Sequence, residues 1–337
     1  AVVLACGTGG SSRDDGAADA DTDPDGEAEV DSGEGAADDS GLDDGAEGDG
    51  EPCTPAASES CNGRDDDCDG RTDEELWCWA YPQPTGATLR AVWVIAADEA
   101  WAAGDEGTVL RWDGETWEAV HSGTSADLCG IWGTGRGLWA VGEGGAAISW
   151  DGSSWTAMET GTTAHLRAVH GTAGVDVWAV GENGRIRRFD GAEWTGVDSG
   201  TLTNLWAVWA AGDADAWAVG ADGTTLHWDG SSWTAVDTGT TESILGVHGF
   251  ASGDVWAVGT GGVALHWNGT SWSPTATDTT DDLRWVWGAE PDDVWAGGPS
   301  VPLHRWNGSE WSAGLPLGAF RAAGGSSTDD MWTVGED

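Results

Sequence analysis

The stretch DVWAVGENGRIRRFDGAEW, residues 176–194, returns twice with few changes, as DAWAVGADGTTLHWDGSSW at 215–233 and DVWAVGTGGVALHWNGTSW at 254–272. In each copy an apolar run around a tryptophan leads to a Gly-x-x-Gly turn. A second run follows, then Asp-Gly or Asn-Gly, then another tryptophan. Adjacent residues that tolerate positive φ are what a tight hairpin requires, so both glycine sites read as turns between antiparallel strands. One more run precedes the quoted stretch: LRAVW at 89–93, LCGIW at 128–132, LRAVH at 166–170, LWAVW at 205–209, ILGVH at 244–248 and LRWVW at 283–287. A fourth begins at Trp155, Trp233 or Trp272 and ends near TGT.

The unit is therefore four short strands in 37–39 residues, and Trp101, Trp139, Trp178, Trp217, Trp256, Trp295 and Trp332 mark seven copies. Periods of this size belong to repeat architectures. Glycines and β-branched residues break every candidate helix, and four antiparallel strands joined by tight turns make one propeller blade. The expectation is an all-β, seven-bladed β-propeller of four-stranded antiparallel blades over residues 79–337, incomplete in blade seven. That copy ends in DDMWTVGED, 329–337, with a first strand at FRAAG, 320–324, and a second around Trp332. WAYPQPTGATL, 79–89, reads as the outermost strand of the last blade, closing the ring like a clasp. Only the third strand is then missing, and the natural chain is expected to run beyond Asp337. The runs over 89–337 resemble the tryptophan-rich bacterial propeller repeats DVWAVGxxGxxxHWDGxxW, relatives in style of the Asp-box, YCF48-like and tectonin families. The spacing here is D-G-x-x-W, not the D-x-G-x-T-W of a true Asp-box.

Composition divides the chain sharply. All 26 tryptophans lie from Trp77 onward, whereas residues 7–52 are Gly, Ala, Ser, Asp and Glu with hardly an apolar side chain. That segment cannot bury enough surface to offset its chain entropy and is expected to be a disordered acidic linker. The 59 acidic residues face 13 arginines and no lysine, for a net charge of −46. Such a field repels nucleic-acid phosphates and anionic lipid, so nucleic acid is not an expected partner.

The chain opens AVVLACG, and Val3-Leu4-Ala5-Cys6 resembles the lipobox of bacterial lipoproteins. The resemblance implies that residues 1–6 are the end of a signal peptide, cleaved before Cys6, and that the Cys6 thiol is diacylated. A lipid anchor would then attach the protein to a membrane of the cell envelope, surface-exposed or periplasmic.

Residues 53–78 form a Cys/Asp-rich insert containing CNGRDDDCDGRTDEE at 61–75. Asp65, Asp67, Asp69 and Asp73, with Gly70 at the sharp turn, follow the first three-quarters of an EF-hand loop. The twelfth position is Leu76, so Glu74 or Glu75 would have to supply the last carboxylate. Oxygen-only ligands select calcium over copper or zinc. The stretch resembles the short metal-binding motif of MopE type found in bacterial surface proteins. Cys53, Cys61, Cys68 and Cys78 are the expected disulfide cysteines, with three connectivities open.

Within the repeat, the marker tryptophans are expected in the core, each burying roughly 150–250 Å². Trp112, Trp150 and their equivalents beside the Asp-Gly turns are expected half exposed, where an indole could stack on a sugar. Asp176, Asp215, Asp254, Asp293 and Asp330 should accept backbone hydrogen bonds in the preceding turn. His170, His248, His227 and His266 read as packing histidines set far apart around the ring, and Cys129 as a buried thiol. Arg90, Arg167, Arg284 and Arg321 share the second position of the innermost strand. They are expected either to form an anion-binding ring near the axis or to stack on neighbouring indoles.

The functional expectation is a non-enzymatic, calcium-stabilised binding module, monomeric, recognising a protein at the cell surface. The alternative is lectin-like binding of a glycan at one weak site per blade, strengthened by multivalency. A propeller glycoside hydrolase needs a unique acid/base pair on a divergent loop, whereas the loops here are short and alike and the single tyrosine is Tyr81.

Overall fold

The computed structural model describes residues 2–6, 77–79 and 85–335, with gaps at 136, 174–175, 300, 315–319 and 328–329; the first two segments are described by backbone alone. The acidic linker, Cys53, Cys61, Cys68 and the metal-loop residues Asp65, Asp67, Asp69, Asp73 and Glu74 lie outside the described residues.

Six repeats each fold into a four-stranded antiparallel sheet of consecutive strands. In blade one these are Leu89–Ala96, Glu99–Gly104, Val109–Trp112 and Trp117–Ala119. The innermost strands of the next five blades are Leu128–Thr134, Leu166–Ala173, Leu205–Gly212, Ile244–Ala251 and Trp285–Glu290. The hairpin chemistry read from the sequence sets the turns. Glu106, Asn183 and Asp222 take φ of 55–56°, and the glycines that follow them are also left-handed. A Cβ on Gly107 would lie 2.0 Å from the Thr124 carbonyl oxygen, so glycine is obligatory there.

The expectation of seven equivalent blades is corrected to six blades of consecutive strands. The last repeat contributes only Phe320–Ser327 and Asp330–Gly335, and its sheet is composite. Its third strand is Val2–Cys6, antiparallel to Asp330–Gly335 with Leu4 opposite Trp332. Its fourth is Trp77–Trp79, paired with Val3–Ala5. The clasp expected at 79–89 lies at Trp77–Trp79; it is the outermost strand of this sheet, as expected, and pairs with the chain's first strand. The third strand, expected to be missing, is supplied by the residues that resemble a lipobox.

Each inner strand packs on the inner strand of the following sheet, and Phe320–Ser327 packs on Leu89–Ala96, so seven inner strands close a ring. The seams are built from indoles. Trp101, Trp178, Trp217 and Trp256 are at most 1% exposed, as the core reading required. Each meets the Asp-Gly-turn tryptophan of the next blade at centroid distances of 4.8–5.1 Å. Trp332 meets Trp112 in the same way at 5.0 Å, so the composite sheet uses the standard seam toward blade one.

A second contact repeats around the ring deeper in the channel. The fifth residue of one inner strand reaches over the sixth of the next. Trp132, Trp209 and Trp287 lie over Gly171, Gly249 and Gly325, where an added Cβ would sit 2.7–2.9 Å from each indole. Trp93 instead donates Nε1–H to the Gly133 carbonyl at 2.8 Å. Where the fifth residue shrinks to His170, the sixth position grows to Ala210, whose N–H is bonded to the imidazole Nδ1 at 3.1 Å. At His248 the sixth position of the next strand stays Gly288, whose carbonyl lies 3.0 Å from the imidazole Nε2, and Phe250 fills the space beside it.

Candidate functional site: an arginine-lined mouth on the axis

One cavity of about 170 Å³ is lined by the second residue of six inner strands, Arg90, Cys129, Arg167, Trp206, Leu245 and Arg321, and by Arg284, which immediately precedes the inner strand of blade six. One residue comes from each of the seven repeats, which places the cavity on the axis. The four arginines singled out by their register converge there. Cys129, expected to be buried in packing, is half-buried on the same lining.

Carboxylates hold the guanidinium groups of Arg90 and Arg167. Arg90 Nε donates to Asp105, and its Nη2 donates to Asp127 Oδ2 at 3.1 Å. Asp127 also accepts the Glu106 N–H at 2.9 Å, so this network ties blade one to blade two. Arg167 Nη2 donates to Glu182 at 2.6 Å, and its guanidinium stacks on Trp206 at 5.0 Å. Ring and stacking, posed as alternatives in the sequence, coexist at Arg167. Asp105 and Glu182 follow the same blade glycine, and in blade six that place is Pro299. Arg284 accordingly forms no ion pair among the described residues.

The electrostatics follow from this arrangement. Burial pulls the Arg90 guanidinium down, but the hydrogen bond and charge of Asp105 outweigh it and hold it above its ordinary value. At Arg321 burial and the like charges of Arg90 and Arg284 win, and its pKa is lowered. Burial raises the Cys129 thiol despite Arg90 and Arg167, so it stays protonated at neutral pH and is a poor nucleophile. The mouth gathers four guanidinium groups in a chain of net charge −46, with Asp105, Asp127 and Glu182 balancing Arg90 and Arg167.

Beneath it the channel is filled by rings. Trp93 contacts Trp132 at 6.1 Å and His170 at 5.7 Å, and His248 meets Trp287 at 6.5 Å. His170 and His248 are packing histidines, as expected, set among these rings and bonded to the backbone of Ala210 and Gly288. Enclosure by protein drives His170 down to about 3 and His248 down to about 4, and both are neutral in the physiological range.

The repeated aspartates do something the sequence reading missed. Instead of accepting turn amides, Asp176, Asp215, Asp254 and Asp293 bind the residue twelve positions on: Arg188 at 2.6 Å, His227 at 2.8 Å, His266 at 2.7 Å and Arg305 at 2.6 Å. Each cation or imidazole also covers the marker indole, as His266 does Trp256 at 4.4 Å and Arg188 does Trp178 at 5.0 Å. Aligning the copies could have found this, because Arg or His recurs at that offset wherever Asp precedes the marker. Asp330 differs, accepting the Trp332 Nε1–H at 3.0 Å. The tryptophans beside the Asp-Gly turns are wedged into the seams and offer little free face: Trp228 is 5% exposed, and Trp112, Trp150, Trp267 and Trp306 are half-buried.

Among the described residues no group of three or more His, Cys, Asp or Glu is placed to hold a metal, and Cys129 is a free cysteine. No described helix is long and apolar enough to cross a membrane.

No family model matches the chain, and no curated protein matches it in sequence. Solved structures do. YCF48 bound to D1 peptide is 18% identical at a TM-score of 0.61, covering 75% of this chain and 90% of that one. YCF48 from Cyanidioschyzon merolae is 16% identical at 0.61, covering 75% and 97%. The WD40 β-propeller domain of Doa1 is 11% identical at 0.65, covering 74% and 90%. At these identities the likeness is one of fold: this chain is similar to known β-propellers.

Proposed function

We propose that this protein is a non-enzymatic binding module that recognises an acidic segment of a protein partner at the arginine-lined mouth. The observation that carries the reading is the convergence of Arg90, Arg167, Arg284 and Arg321 on one cavity, with Arg284 outside any carboxylate pair among the described residues. Guanidinium forks match carboxylates in geometry, and Trp206 and Leu245 supply apolar contact beside them. A partner carboxylate entering the mouth would gain charge-assisted hydrogen bonds without displacing the Asp105 and Glu182 pairs. The YCF48 complex with D1 peptide supports the reading to the extent that a similar ring carries a peptide. The non-catalytic reading is favoured because the repeated carboxylates are engaged by cations of their own blades.

Fluorescence anisotropy with a labelled Glu/Asp-rich peptide tests this. Binding should weaken about tenfold or more in Arg284→Leu, one charge-assisted contact amounting to about 1.5–3 kcal/mol. Equal affinity in wild type and variant would remove the mouth as the site.

The same proposal counts the composite sheet as the ring's seventh blade. It also includes a calcium-holding loop at 61–75 and a lipid anchor on Cys6 at the cell envelope. The last two carry their own tests. Calorimetry of the oxidised full chain should show calcium binding that Asp67→Ala weakens. Cleavage before Cys6 would remove four of the five residues of the Val2–Cys6 strand. Intact mass of the native protein therefore decides between an acylated cysteine and a retained first strand.

A lectin-like alternative draws on one place, an open groove of about 500 Å³ between blades five and six, lined by Trp256, Trp306, His266, Asp254 and Asp292. A glycan array with no binder would dismiss it.

A further inference from the structure

One buried register position breaks the repeat. On the third strand, the residue opposite the alanine after the marker tryptophan is Leu110, Ile148, Leu226 or Leu265 in blades one, two, four and five, each at most 2% exposed. In blade six it is His304, opposite Ala296, and in blade three it is Arg187, opposite Ala179. Its partner on the outer strand changes with it: Ala119, Ala157, Ala235 and Pro274 become Gly196. The substitution is compensatory, since a Cβ at Gly196 would stand 2.5 Å from Arg187 Nη1. A core leucine has become a guanidinium, and the neighbour has been cut back to admit it.

The arginine runs out along the seam between blades two and three. Its Nη2 donates to the Gly161 carbonyl at 2.7 Å, which fixes the fork, while its Nε is buried with no acceptor. A buried donor left unsatisfied costs about 1–3 kcal/mol. Arg185, two residues earlier, is exposed, where other blades have Thr108, Ala146, Thr224 or Val263. Among the described residues neither arginine forms an ion pair with a carboxylate. Burial and then the charge of Arg185 lower the Arg187 pKa, the mark of a cation pair without its counter-ion. The two arginines line a cavity of about 540 Å³ with Gly161, Thr162, Thr163 and Glu159. Thr162 Oγ1 already accepts the Ala164 N–H at 3.1 Å, so its hydroxyl proton is free to donate.

We infer that the seam between blades two and three is a binding site for a small oxyanion, held by Arg185 and Arg187 with the Thr162 and Thr163 hydroxyls. It is distinct from the axial mouth, sharing none of its lining residues. Glu159 is the one carboxylate on the lining and weakens the site, so affinity should be modest and fall with salt.

Titrating the full chain with inorganic phosphate at low ionic strength, by calorimetry, tests the inference. Saturable binding with Kd of about 1 mM is expected, about tenfold weaker or undetectable in Arg187→Leu, unchanged in Arg284→Leu, and tighter in Glu159→Gln. Arg187→Leu restores the residue of three other blades, so it should fold with Tm equal to wild type or higher. A parallel acetate titration separates phosphate from carboxylate as the natural group, and saturation by either supports the site. The inference is overturned if the wild type binds neither anion, if Arg187→Leu binds as the wild type does, or if Arg284→Leu abolishes binding. A lower Tm in Arg187→Leu with phosphate affinity intact would make Arg187 a structural strut and also overturn it.

Discussion

Acidification should loosen this propeller from its axis, through His170 and His248. Both imidazoles sit among Trp93, Trp132, Trp209, Trp287 and Phe250, with no carboxylate in ring contact to stabilise a charge. Their folded pKa values, about 3 and about 4, lie below the ordinary 6.5, so under acid the unfolded chain binds protons that the folded ring refuses. Stability is therefore intact above pH 6.5, declines as pH falls through that value, and levels off below about 3. At pH 5 each histidine contributes a loss of about 2 kcal/mol, about 4 kcal/mol together. Carboxylate protonation relieves self-repulsion over part of the same range and opposes this loss, so the wild-type curve alone is ambiguous. The control is His170→Asn with His248→Gln. Asn Oδ1 can replace the Nδ1 acceptor toward Ala210, and Gln Nε2 can replace the donor toward Gly288. Urea unfolding followed by tryptophan fluorescence at pH 7.5, 6 and 5 should show the double variant losing about 4 kcal/mol less than the wild type. Parallel curves would refute the argument, because they would mean the imidazoles are protonated equally in both states.

Other expectations follow from the seams. Trp332→Ala removes the indole that joins the composite sheet to Trp112 and Trp117 of blade one, and should cost about 3–5 kcal/mol in chemical denaturation. Gly249→Ala drives a methyl to 2.7 Å from Trp209 and should lose about 1–3 kcal/mol, whereas Ala at the half-buried Gly212, where nothing lies within 4 Å of the new Cβ, should be near neutral; Tm measurements separate the two. Asp254→Ala breaks the pair to His266, 28% and 33% exposed, and should cost under about 1 kcal/mol at neutral pH.

Much of this was legible in the sequence because a repeat prints its rules several times over. The Asn-Gly and Asp-Gly pairs foretold the left-handed turn residues at Asn183 and Asp222, and the marker tryptophans foretold the seams. The arginine mouth could also be read, since Arg90, Arg167, Arg284 and Arg321 share a register. What escaped was relational. The strand at Val2–Cys6 has no repeat to announce it, and its apolar residues read equally well as the end of a leader. The Asp–Arg and Asp–His pairs depend on which face two strands share. Arg187 stood in a run of three basic residues, and only the register against Ala179 shows that it occupies a leucine's place.

The central claim, that a partner's carboxylates enter at the axis, is tested most directly by Nε–H correlation spectra of the 13 arginines during titration with an acidic peptide. The account predicts shifts in Arg284, Arg321, Arg167 and Arg90, with Arg111, Arg188 and Arg305 on the third strands of their blades unmoved. Shifts in those three arginines while Arg284 stays still would contradict it.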